Sequence, residues 1–233
     1  MIKGFRQIAF LTAISRVLGM VRDMSFAYFL GAGGLMDGFS IAFKVPNLAR
    51  RLFGEGAASA SLIPTYSEQL QKDPKEAMKL ASTVVTVIVV VLSCIVLVGE
   101  AIIFCYWKFF CIYPSTQLKL QLAGIMLPYM ILICTVAILA GILNAHQHFA
   151  SPAAAPMVLN IFIIGSLFLS GWILKIPANV QVFVVAVAVI LAGVVQILIQ
   201  FPPMLKRGIR IRLAWHVKSE AVSYTHLTLP TKA

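Results

Sequence analysis

Carboxylates and cysteines are scarce in this chain: eight Asp and Glu stand against nineteen Lys and Arg in 233 residues, beside four cysteines. No pair of carboxylates on a polar face is present, so general acid–base hydrolysis has no visible machinery. Cys94, Cys105, Cys111 and Cys134 form no C-x-x-C pair and lie in or beside apolar stretches, where a cysteine commonly packs as a small apolar residue. A Cys105–Cys111 disulfide is not expected. His146 and His148 point apart on a helix and have no cysteine or carboxylate near them in sequence, which argues against a metal site. Walker-type glycine loops and G-x-S-x-G elbows are missing too, which removes the ATPase and serine-hydrolase classes. No cofactor is expected. The N-terminal apolar segment lacks an A-x-A-like cleavage site and is read as retained.

Charge as a whole is sparse at 12% of residues, while 60% are apolar and the mean hydropathy is +0.93. Soluble proteins carry about 25% charged residues, so this composition belongs to an integral membrane protein. Uninterrupted apolar stretches at residues 81–104, 118–143, 153–172 and 180–201 each approach or exceed the roughly 20 residues a spanning helix needs. Residues 5–30 and 35–62 have the length but carry charges. Together they predict an all-α, polytopic bundle of six transmembrane helices. A barrel is excluded because the runs are continuous rather than alternating with period two. The β-branched run at residues 83–91 does not alter this, since a lone segment in lipid satisfies its own backbone only as a helix.

Basic residues sit unevenly between the spans. Lys3 and Arg6, then Lys72, Lys75 and Lys79, then Lys206, Arg207, Arg210, Arg212 and Lys218 fall on one side, against Lys108, Lys119 and Lys175 on the other. The positive-inside rule then puts both ends in the cytoplasm, as an even helix count requires. The same loops account for the net charge of +11, so nucleic-acid binding is not inferred.

Charges within the first two spans are the main functional clue: Arg16, Arg22 and Asp23, then Asp37 and Lys44, then Arg50, Arg51 and Glu55. Each costs roughly 2.5 to 3.5 kcal/mol in lipid, so such groups normally face a cavity, a partner or a substrate. Asp37, Lys44 and Arg51 recur every seven residues and share one helical stripe, with Glu55 nearly on it and Arg50 about 100° away. Opposite signs along that stripe offset part of the burial cost, and arginine forks suit phosphate oxygens. Pro46 and the glycines around Glu55 are expected to bend or break the second helix, and Gly19 marks a weaker point in the first. Gly31 to Gly34 reads as a turn. The competing reading is structural ion pairs between the two helices, or snorkelling to headgroups. Asp23 is read as the local partner of Arg22, and Glu100 as an interfacial acid with Lys108 nearby, the alternative being a proton or cation site.

The residues Ser15-Arg16-Val17-Leu18-Gly19, Val21-Arg22-Asp23, Gly31-Ala32-Gly33, Asp37, Phe43-Lys44-Val45-Pro46-Asn47-Leu48 and Arg50-Arg51-Leu52-Phe53-Gly54-Glu55-Gly56-Ala57 resemble the MurJ (MviN) lipid II flippases of bacteria. Leu127-Pro128-Tyr129, Gly141-Ile142-Leu143-Asn144, Ala155-Pro156 and Leu159-Asn160 extend the likeness over about the first 205 residues. The resemblance implies a two-lobed flippase of the multidrug, oligosaccharidyl-lipid and polysaccharide exporter superfamily. Such a protein carries lipid-linked peptidoglycan precursor across the bacterial cytoplasmic membrane by alternating access and breaks no bond. It also implies a cationic cavity, with substrate-site roles at Arg16, Arg22, Asp37, Arg50, Arg51 and Glu55. Rival readings are a flippase or exporter for another polyprenyl-linked glycan or a drug, and a non-transporting membrane scaffold.

On this reading residues 1–205 form an N-terminal transmembrane lobe, 206–222 a basic cytoplasmic segment, and 223–233 an unrelated, non-native tail. A second lobe would be needed for transport. His148 stands where many relatives have arginine, which removes a fixed charge from the loop. Asn144, Asn160, Pro128, Pro152 and Pro156 are read as helix ends or kinks.

Overall fold

The computed structural model describes residues 2–110 and 113–211, and all regular structure among them is helical. The expected terminal segment 223–233, most of the basic segment 206–222, and Cys111 lie outside the described residues.

The long apolar runs become long helices because each closes its backbone hydrogen bonds internally. α1 covers Ile2–Phe29, α2 Gly34–Ala49 and α3 Ala57–Lys72, with a π-helical segment, Arg50–Gly56, between the last two. α4 is Pro74–Phe110, α5 Pro114–Met126, α6 Tyr129–Ala145, α7 Ala150–Phe168, α8 Ala178–Leu198 and α9 Phe201–Lys206; a second π segment, Leu169–Ile173, extends α7. Four stretches among the described residues are long and apolar enough to cross a membrane: Pro74–Phe110, Pro114–Ala145, Ala150–Ile173 and Ala178–Lys206. They contain the four uninterrupted apolar runs.

Of the six expected spans, four meet this measure. Charge on α1 lowers its hydropathy, and the expected second span is divided into α2, a π turn and α3. Pro46 lies inside α2 and is buried, and the backbone amide of Arg50 reaches both Pro46 O and Asn47 O where the wider turn begins. A missing proline donor followed within one turn by π geometry is the break expected near Pro46. Gly19 breaks nothing. α1 runs through it without interruption, and a Cβ there would stand 3.8 Å from Asn160 Nδ2 on α7, so the position is one of close helix approach. The turn at residues 30–33 is present, with Gly31 at φ +68°, a left-handed conformation that glycine adopts without strain.

α1 packs along α7, α7 along α8, and α2 across α5. One core joins Phe26, Phe39, Leu122, Met126, Ile163 and Val189; a second joins Leu62, Tyr66, Leu80, Ile142 and Met204 near the turn after α6. The C-terminal half of α4 is different. Val90, Ile95, Leu97, Val98, Ile102 and Phe104 are exposed there, an apolar surface suited to hydrocarbon. Cys94 and Cys105 lie on this exposed helix, so of the described cysteines only Cys134 has the buried packing role expected from sequence.

Candidate functional site

Phe39, Phe43, Pro46 and Arg50 follow one another at spacings of four, three and four along α2 and its π extension. Arg50 thus continues the inward apolar stripe of the helix. Its side chain lines a cavity of about 580 Å³ together with Arg22 of α1, Asn47, Tyr129, Asn144 and Gln196. Apolar groups from α6 and α7 complete the wall. The volume lies within the roughly 300 to 1,000 Å³ range of small-molecule sites.

Arg22 is held from two sides. Its Nε and Nη2 donate to Asp23 Oδ1 at 3.0 and 2.8 Å, and Nη1 donates to Asn160 Oδ1 at 3.1 Å. Asn160 in turn donates from Nδ2 to Ser15 O at 3.2 Å, tying α7 to α1. Three of the five guanidinium donors are thereby used, leaving two for a ligand. The Asp23 side chain is 67% exposed against 28% for Arg22, so the carboxylate lies at the rim and the cation reaches further in. Asp23 is the local partner expected. Arg50 Nε donates to Asn47 Oδ1 at 3.1 Å, which orients the fork.

Two further polar atoms belong to this wall. Tyr129 Oη and Gln196 Oε1 are buried and have no hydrogen-bond partner, while Gln196 Nε2 donates to Ala155 O at 2.7 Å. Tyr129 is fixed by close packing: a Cβ on Gly193 of α8 would stand 2.9 Å from its ring. A phenol donor and an amide acceptor left open beside two guanidinium groups fit a ligand with both anionic and neutral polar parts.

The six sequence candidates do not converge as one cluster. Arg22 and Arg50 share the cavity, whereas Arg16, Asp37 and Arg51 are exposed, as is Lys44. The backbone of Glu55 lies in the π segment, but its side chain lies outside the described residues. Asn160, expected at a helix end or kink, is instead a mid-helix partner of Arg22. Pro128 stands at the α5–α6 break and Pro152 in the first turn of α7, while Pro156 is inside α7. Glu100 makes no ion pair with Lys108, whose ammonium lies 5.8 Å over the Phe109 ring. The sequence assigns no site role to Tyr129, Asn47 or Gln196, all of which line the cavity. Asn47 was legible in principle, since it is one turn before Arg50 on the same helix.

Near the turn after α6, His146 Nε2 lies 2.8 Å from Tyr66 Oη. Burial, and secondarily the charge of Arg207, lower the pKa of both His146 and His148, favouring neutral rings. Burial pushes Tyr66 up to about 12. Among the described residues no group of His, Cys, Asp and Glu is arranged to hold a metal ion.

The family model for lipid II flippase MurJ matches residues 26–230. The chain belongs to the MurJ family. A relative from Rickettsia prowazekii, described as a probable lipid II flippase MurJ, is 32% identical over 222 residues, which cover 92% of this chain and 42% of the relative. The lipid II flippase MurJ of Burkholderia cenocepacia is 34% identical over 207 residues, covering 84% and 38%. A solved structure of lipid II flippase MurJ in an inward closed conformation matches with TM-score 0.68 at 24% identity, over 94% of this chain and 46% of that one, a likeness of fold. The chain thus spans about two fifths of the curated relatives it matches. The matched stretch also includes most of residues 223–233, which the sequence reading sets apart.

Proposed function

We propose that this chain is the N-terminal lobe, residues 1–205, of a lipid II flippase of the bacterial cytoplasmic membrane. Its first two charged helices cross the membrane with the four apolar ones, both ends of the lobe face the cytoplasm, residues 206–222 form a basic segment beyond it, and residues 223–233 are a non-native tail. The observation that carries the functional reading is the convergence of Arg22 and Arg50 on one cavity walled by amides and a tyrosine. Two fixed guanidinium forks match a diphosphate, and neutral polar groups beside them match sugar and amide oxygens.

Arg22 and Arg50 bind the diphosphate while the polyprenyl chain stays in lipid. Arg16, Asp37, Arg51 and Glu55 complete the path; the first three lie on exposed faces, where a second lobe would stand opposite them. No bond is broken. Translocation needs that second lobe, because one wall cannot open alternately to two sides. The π turn after Pro46 is where the backbone takes up the change.

The test is lipid II translocation in cells whose flippase carries this lobe joined to the remainder of the protein. Arg22→Ala and Arg50→Ala are each expected to abolish growth-supporting transport, and the chain alone is expected to support none. Normal transport by both variants removes the cavity from the mechanism.

A further inference from the structure

A second ionisable side chain lies outside this cavity. Glu100 belongs to α4, on the stretch that otherwise presents exposed Leu97, Val98, Ile102 and Phe104. Its carboxyl occupies a separate groove of about 500 Å³ walled by Ile103, Phe104 and Trp107 of α4, Gln121 and Gly124 of α5, and Phe183 of α8. Oε1 is buried without a hydrogen-bond partner, and Oε2 lies 3.3 Å from where a Cβ on Gly124 would stand, so the acid rests on bare α5 backbone.

Among the described residues no cation pairs with it. Of the groups that α4, α5 and α8 bring to the groove, the Gln121 amide and the indole N–H of Trp107 are the other polar ones, and neither is charged. Lys108 is turned onto Phe109, and the stem of Lys119 packs beside Gly38 of α2. An unpaired carboxylate in such surroundings is far costlier than the neutral acid.

We propose that Glu100 is a proton-binding site within the membrane, a carboxyl that carries its proton in the α4–α5 groove and is open to small apolar electrophiles from the lipid side. Release of the proton leaves an anion against Gly124 with no partner, so the groove must admit water or a cation first. Protonation and α4–α5 packing are therefore linked.

Hydrophobic carbodiimides report this state directly. The acid proton passes to one carbodiimide nitrogen as the carboxyl oxygen adds to the central carbon, giving an O-acylisourea. Migration of the acyl group to nitrogen then yields a stable N-acylurea; every atom is retained and nothing is oxidised.

The experiment treats the full chain in membrane vesicles with dicyclohexylcarbodiimide or with a water-soluble carbodiimide, and maps adducts by mass spectrometry. Dicyclohexylcarbodiimide is expected to label Glu100 at least about tenfold more than the exposed Glu68, with the water-soluble reagent reversing that order. Glu100→Asp, which keeps the acid, is expected to retain labelling, and Glu100→Gln to lose it. Labelling of Glu100 no greater than that of Glu68, or equal labelling by both reagents, overturns the proposal.

Discussion

Arg22 and Glu100 are both ionisable side chains set in apolar helices, and the bundle treats them in opposite ways. Arg22 is surrounded by acceptors: Asp23 at the rim, and Asn160 reaching from a helix 138 residues further along the chain. Glu100 has one buried oxygen with nothing to pair with and a glycine backbone beneath it. A cation kept charged must be solvated by the protein, whereas an acid has the cheaper course of holding its proton. The first arrangement preserves charge for a ligand. The second stores a proton.

Removing the partner of Arg22 tests that contrast most severely. Asn160→Leu takes away both the acceptor for Nη1 and the donor to Ser15 O, and is expected to cost about 1.5 to 3 kcal/mol in thermal unfolding of the detergent-solubilised chain. Glu100→Gln is expected to do much less. Exchange of a neutral acid for its neutral amide should change stability by under about 1 kcal/mol, whereas loss of a hidden ion pair would cost about 3 to 5 kcal/mol.

The smallest effect concerns pH at the turn after α6. His146 faces Tyr66 and Arg207, with His148 beside the same arginine, and its pKa lies below the ordinary value of 6.5 because of burial. The unfolded chain therefore takes up protons first as pH falls. The stability from the neutral ring is complete above about pH 6.5 and is lost on acidification toward the lower folded value. A melting curve measured from about pH 7.5 to about pH 5.5 should drop, and His146→Phe should flatten the drop.

Much of this was legible beforehand because the relevant signals are local. Continuous apolar runs point to α4 and the helices after it, and the cost of charge in lipid picks out eight residues of the first two spans, Arg22 and Arg50 among them but not set apart from the rest. What was not legible depends on contacts distant in sequence. Asn160 looks like a helix-end or kink residue until α7 lies along α1, and Tyr129 carries no site signal until Gly193 brings α8 against it. The stripe through Asp37, Lys44 and Arg51 was read inward because of its charges. The apolar residues Phe39, Phe43 and Pro46 define the inward side instead, and Arg50 is the residue that follows them.

The central claim is that Arg22 and Arg50 make one anion site, and binding of a short prenyl diphosphate tests it most directly. With the chain in lipid nanodiscs, farnesyl diphosphate should bind wild type, and Arg22→Gln or Arg50→Gln should each weaken binding by about 10- to 150-fold, while Lys75→Gln has no effect. Equal affinity in wild type and both arginine variants would contradict the account.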